Sequence, residues 1–259
     1  MFSRPAATSS FPYWYRPHRS ETKHPVVFIH GIGIGLLPYL PLLRELDSDV
    51  GFVLIELLPI SMRMTSAAFP SRPDLLEAIE TTLSSLPYFD RYVLAAHSYG
   101  TAVAAHILRH GTAAQVQSVV LMDPIPILLH LPDVAYNFLY RSPRGANEWQ
   151  LWYFASRDAD VARTLFREFY WRDCVLWKDD LEKLGRDVAV VLCEKDQIVA
   201  SRHVWDYLTE STDLQSGNAD WQAGHLKVLW YDKLDHAQVF DTKDRRKRLV
   251  ELIDNYCVR

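Results

Sequence analysis

The chain has 259 residues, 49% of them hydrophobic and 23% charged, with a formal net charge of -4. That hydrophobic fraction excludes a disordered chain and supplies the core of one α/β domain, or of a core domain with an insertion. The acidic balance excludes a phosphate-neutralising surface, so nucleic acid is not an expected partner.

Short apolar runs alternate with helical patterns along the chain. A candidate strand spans Phe11 to Tyr15, where Pro12 argues for an edge position, and the segment Phe11 to Pro17 either covers the sheet edge or forms an interfacial contact. Val26 to Ile29 is a buried-strand run, and Gly51 to Leu58 is another, bounded by Pro59. From Asp74 to Leu86 the apolar residues Leu75, Leu76, Ile79, Leu83 and Leu86 recur at a period near 3.6, which predicts a helix with Pro73 at its start. Tyr92 to Ala96 reads as a strand, Thr101 to Arg109 as an Ala-rich helix, and Gln117 to Met122 as a strand stopped by Asp123 and Pro124. Beyond them come a strand at Val188 to Cys193, a helix at Arg202 to Leu208, a strand at Lys227 to Trp230 and a last helix at Lys243 to Tyr256. Strands separated by helices predict βαβ units, hence an α/β fold with a mostly parallel sheet and helices on both faces.

Ile125 to Leu184 breaks the alternation. Twelve of the 32 aromatic residues fall between Tyr136 and Trp177, a density that marks a helical insertion beside the sheet, with Leu165, Phe166, Phe169 and Tyr170 spaced as one amphipathic helix. The expected division is a core of 1–124 and 185–259 with a cap of 125–184.

Two turns carry chemistry. The strand YVLAA runs through His97, Ser98, Tyr99 and Gly100 straight into the Ala-rich helix. Small residues two before and two after the serine, here Ala96 and Gly100, let strand and helix pass closely while the Ser98 hydroxyl projects above the sheet. The plain alternative is a serine N-cap. The second turn follows PVVFIH, where Gly31, Gly33 and Gly35 alternate. It lacks the Gly-Lys-Ser/Thr of a phosphate loop, and Glu56, the nearest acid for a dinucleotide ribose, is followed by Leu57, Leu58 and Pro59 rather than a loop.

Together, His-Gly-x-Gly after one strand and Ala-His-Ser-Tyr-Gly after a later one resemble the α/β-hydrolase family from about Pro25 to the C-terminus. The resemblance implies an oxyanion hole made by the backbone N–H groups of Ile32 and Tyr99, with His30 orienting the loop and His97 packing at the elbow. The family order is serine, acid, histidine. His236, in a loop between the last strand and the last helix, is the base that the order implies; His203, His225, His106, His110 and His130 lie in helices or before a strand. Asp196, after the strand 188–193, fits the acid. Asp123 is its rival, though an Asp before Pro124 is ordinarily a turn residue, and Glu194 comes two residues early. Only 24 residues precede Pro25, which implies a sheet reduced at its N-terminal side, or part of a longer protein.

The resemblance implies a serine hydrolase that cleaves carboxylic esters through an acyl-enzyme on Ser98, with the cap's rings over an apolar acyl or alcohol group. An acyltransferase with the same residues, or a binding protein that keeps the fold without turnover, are the alternatives; Ser98 disfavours an Asp-nucleophile dehalogenase or epoxide hydrolase. No cofactor and no metal are expected. The run Arg245 to Arg248 is expected on the exposed side of the last helix, not as a lipid-binding patch. Three scattered cysteines, Cys174, Cys193 and Cys257, form neither a disulfide framework nor a zinc site. No run reaches the ~18 apolar residues of a membrane helix, and the first 24 residues lack a signal peptide's apolar core. Membrane association is therefore not indicated, and a cytoplasmic location is expected.

Overall fold

The computed structural model describes residues 11–65, 68–111, 113–214 and 217–258. The expectation about a signal peptide falls partly on 1–10, outside the described residues. Eight strands form one sheet: β1 (Tyr13–Arg16), β2 (Val26–Ile29), β3 (Phe52–Ile55), β4 (Tyr92–His97), β5 (Val116–Met122), β6 (Val188–Cys193), β7 (Ala219–Ala223) and β8 (Leu226–Tyr231), in the order β1-β3-β2-β4-β5-β6-β8-β7. The six inner strands are parallel. The edge strands β1 and β7 pair antiparallel with β3 and β8. The segment after Pro12 thus covers the sheet edge, and among the described residues one antiparallel strand precedes β2.

Each inner strand feeds two cores by alternation. Val27 and Ile29 of β2, with Leu94 and Ala96 of β4, face α2 (Arg72–Ser84), α3 (Tyr99–His110) and α4 (Ser201–Thr209). Val26, Phe28, Val93 and Ala95 face α1 (Leu40–Glu45) and α5 (Lys243–Cys257). A sheet buried on both faces needs strands apolar at every position, which is why they read as unbroken apolar runs.

Two elements escape the sequence reading. The short α1 has no visible period and carries Pro41 in its first turn. The strand β7 (ADWQA) is polar and half exposed, and it is joined to β8 by a hairpin turn in which Gly224 takes φ +54°. One expectation is corrected: Arg246 is not on the exposed side of α5. It is buried, ion-pairs with Glu45 of α1 at 2.5 Å and donates to the Phe240 carbonyl at 2.6 Å, which fixes α5 against α1.

Between β5 and β6 the chain makes eight short helical pieces, from Asp133–Ala135 to Lys178–Lys183. Three of them, 136–140, 151–156 and 164–168, are wide π-type turns, with i→i+5 bonds such as Arg141 N–H to the Tyr136 carbonyl at 2.8 Å. The single amphipathic helix expected around Leu165–Tyr170 is instead a π-turn ending at Glu168, followed by a two-residue extended link, Phe169 and Tyr170. Most rings here do not pack down onto the sheet: Tyr136, Tyr140, Trp149, Tyr153, Phe154, Phe166, Tyr170, Trp171 and Trp177 are exposed.

The turn from β4 into α3 positions the site. Ser98 adopts φ 50° and ψ -122°, a backbone that L-residues with a Cβ occupy at a cost of about 1–3 kcal/mol. The close passage needs its small residues. A Cβ on Gly100 would collide with the Ile29 carbonyl, and one on Gly31 would sit 2.7 Å from the Ser98 Cβ. The strain at Ser98 predicts that Ser98→Gly melts higher than Ser98→Ala, by about 1 kcal/mol or ~2–4 °C. Equal melting temperatures would show that the turn stores no strain.

Candidate active site

The carboxyl ends of β2, β4, β5, β6 and β8 all open on one edge of the sheet, where open parallel sheets hold their ligands. The loop after β6 delivers Asp196 and the loop after β8 delivers His236. Ser98 Oγ lies 2.9 Å from His236 Nε2, and His236 Nδ1 lies 2.8 Å from Asp196 Oδ2. In the neutral imidazole, Nδ1–H donates to Asp196 and Nε2 accepts from the Ser98 hydroxyl. The other Asp196 oxygen accepts from the N–H groups of Ile198 (2.7 Å) and Val199 (2.9 Å), so one oxygen fixes the turn while the other reaches the ring.

Asp123 is fully buried and takes another part. Its Oδ2 accepts from the Ala237 N–H at 2.8 Å, which anchors the loop carrying His236, and His97 Nε2 lies 3.5 Å away. Asp123 forms no hydrogen bond to His236, both of whose ring nitrogens are committed elsewhere. Glu194 accepts from the Lys233 N–H at 2.7 Å and so ties the loops after β6 and β8 together.

His30 and His97 hold the frame. His30 Nδ1–H donates to the Gly31 carbonyl at 2.7 Å, and its Nε2 accepts from the Leu57 N–H at 2.9 Å. The Gly31 N–H donates to the Tyr39 hydroxyl (3.1 Å), which donates to His97 Nδ1 (2.8 Å). Burial pushes both imidazoles down to about 4, so both are neutral at physiological pH. Tyr39, on the approach to α1, thereby links the glycine loop to the elbow. Nothing local marks this residue, because His97 lies 58 positions away. Glu56, the residue weighed as a ribose ligand, is buried, receives the Trp14 indole N–H at 3.3 Å and pairs with Arg63 at 2.7 Å.

The insertion is fastened to the two loops it overhangs. Asn137 donates to the Ile198 carbonyl (3.0 Å), Arg141 to the Gln197 carbonyl (2.7 Å) and Asn147 to Asp235 (2.9 Å). Nothing in the sequence marks these polar anchors, because their partners, two backbone carbonyls and the Asp235 carboxylate, lie on distant loops. Beneath the insertion lies a cavity of about 450 Å³ with Ser98, Ile32 and Tyr99 at one end and Ile125, Leu129, Phe138 and Leu139 among its apolar walls. Tyr99 opens α3, so its backbone N–H is one of the donors that a helix start leaves without an intrahelical partner.

Among the described residues, His97, Asp123 and His236 are the one group with the composition and proximity of metal ligands, their donor atoms lying within 4.8 Å of one another. His236 cannot serve there while Ser98 and Asp196 hold both its nitrogens.

A sequence profile of the alpha/beta hydrolase family matches residues 26–246, and the chain belongs to that family. No curated protein matches the sequence significantly. Among solved structures, a membrane phospholipase A described as a bacterial virulence factor superposes with a TM-score of 0.65 at 16% identity, over 98% of this chain and 86% of that one. The 2-hydroxy-6-oxo-6-phenylhexa-2,4-dienoate hydrolase of Rhodococcus sp. strain RHA1 gives 0.63 at 15% identity, over 98% of both chains. Carboxylesterase CesB of Bacillus subtilis gives 0.63 at 12%, over 98% of this chain and 91% of the other. At such identities the likeness is one of fold.

The two acids separate by experiment. Burial opposes the His236 imidazolium, but the charge and hydrogen bond of Asp196, with Asp123 behind, outweigh it and raise His236 above its ordinary value. Only the neutral ring accepts a proton, so if His236 is the base of turnover, kcat/KM rises with pH through a midpoint above the usual ~6.5. Asp196→Asn removes the charge that raises it: the midpoint moves to lower pH and kcat falls by ~10³–10⁴. Asp123→Asn keeps an oxygen for the Ala237 N–H, costs far less in kcat and acts mainly through stability. A large kcat loss in Asp123→Asn with a mild one in Asp196→Asn would reverse the assignment.

Proposed function

We propose that this hydrolase cleaves carboxylic esters with an apolar acyl or alcohol group, through an acyl-enzyme on Ser98. One observation carries the reading: Ser98 Oγ, His236 and Asp196 stand in hydrogen-bond sequence at the end of an apolar cavity. His236 Nε2 takes the hydroxyl proton as Ser98 attacks the carbonyl carbon, and Asp196 holds the tautomer and stabilises the imidazolium. The backbone N–H groups of Ile32 and Tyr99 meet the oxyanion, a contribution of a few kcal/mol to the transition state. His236 then protonates the departing alcohol. A water, deprotonated by the same imidazole, attacks the acyl-Ser98 carbonyl and releases the carboxylic acid. The apolar walls under the insertion, 125–184 acting as a cap, favour hydrocarbon groups over charged ones.

A fluorophosphonate probe should label the wild type and fail on Ser98→Ala, with p-nitrophenyl ester hydrolysis lost in parallel and the fold retained. His236→Ala should lose turnover by several orders of magnitude. Labelling of Ser98→Ala, or equal kcat/KM for acetate and longer apolar esters, would contradict the reading.

A further inference from the structure

Behind the cavity at Ser98 lies a second, of about 410 Å³, and the two share walls at Tyr99 and Phe169. Both of these shared residues are aromatic, and their rings are in contact. Tyr99 and Phe169 have centroids 5.6 Å apart, and Phe69 packs edge-on against Tyr99 at 5.5 Å. The rear compartment is apolar along Leu75, Ala102 and Val103, while Arg72 and Asp173, paired at 3.6 Å, lie at its polar side with Arg167 and Glu168. His106 and Cys174 also line it, their Nε2 and Sγ 3.5 Å apart. Burial holds both neutral, pushing the imidazole down to about 4 and the thiol up to about 12. A hydrocarbon chain entering this space would therefore displace no buried charge at either group.

The two shared walls are held differently. Tyr99 is buried at the start of α3, its backbone fixed by the strained turn beside it. Phe169 is half-buried in the extended link between the turn 164–168 and the helix 171–174, with φ -100° and ψ 115°. Of the two, Phe169 is the less buried and stands outside any helix.

We propose that Phe169 is the length gate of the substrate pocket, and that the compartment behind it receives the far end of an unbranched hydrocarbon chain. This rests on the ester-hydrolase reading, with the chain's carbonyl end at Ser98. A chain too long for the first cavity turns the Phe169 ring aside and continues along Ala102 and Val103. The gate sets which chain lengths are bound, and it takes no part in the proton transfers.

The test is the ratio of kcat/KM for p-nitrophenyl laurate to that for the butyrate. Phe169→Ala should raise this ratio by at least about tenfold, as expected when two or more further methylenes are buried without displacing a ring. Phe169→Leu should raise it less, and Phe169→Trp should lower it. Ala102→Leu, which narrows only the rear compartment, should cancel the gain when combined with Phe169→Ala. A second measurement needs no turnover: in Ser98→Ala, calorimetric binding of saturated fatty acids should shift toward longer chains when Phe169→Ala is added. An unchanged ratio, or a gain that survives Ala102→Leu, would overturn the gate even if esters are cleaved. If the wild type cleaves no ester, the ester reading fails and the fatty-acid series still decides the gate: a shift toward longer chains supports it, and no shift overturns it.

Discussion

One imidazole organises the site. His236 has a ring nitrogen on each of two hydrogen bonds, one to Ser98 and one to Asp196, and it keeps that orientation only if two loops from different strands hold still. The surrounding structure is built to hold them. The Ala237 N–H is tied to buried Asp123, Asp196 is braced by two backbone donors of its own turn, and Asp235 receives the Gln197 N–H at 2.9 Å. The Asp123 carboxylate, which sequence alone leaves as a rival acid, thus serves the same imidazole by fixing its neighbour.

The serine side of the site is held by close packing. The elbow requires Gly31 and Gly100 because strand, loop and helix pass within one Cβ of each other there. Tyr39 bridges the Gly31 N–H and His97, so the glycine loop and the elbow move as one piece. This matters for the proposed oxyanion hole, whose two donors would come one from each segment. Preorganised donors favour a transition state because no reorganisation is needed when charge appears. The strain at Ser98 is the cost of that arrangement, offset by the two cores on either face of the sheet.

What could be read from the sequence follows from how local each signal is. The six inner strands were visible because burial on both faces makes them unbroken apolar runs, and Ser98 because its turn demands small residues at fixed offsets. His236 and Asp196 were placed by their order along the chain and by the strands before them, not by any pattern of their own. Tyr39 was invisible because its partner lies far along the chain and α1 is too short to show a period. The polar strand β7 is stabilised by pairing with β8 rather than by burial, so hydropathy says nothing of it. In 125–184, ring density sets the segment apart from the strand–helix alternation, but the π-turns rotate side chains off any 3.6-residue face, and many rings point to solvent.

The central claim is that Asp196 holds the His236 Nδ1 proton and so aims Nε2 at Ser98. Proton NMR observes that proton directly. The wild type should show a far-downfield imidazole resonance that survives Asp123→Asn and Ser98→Ala and disappears in Asp196→Asn. A resonance that persists in Asp196→Asn, or is lost in Asp123→Asn while the fold is retained, would contradict the account.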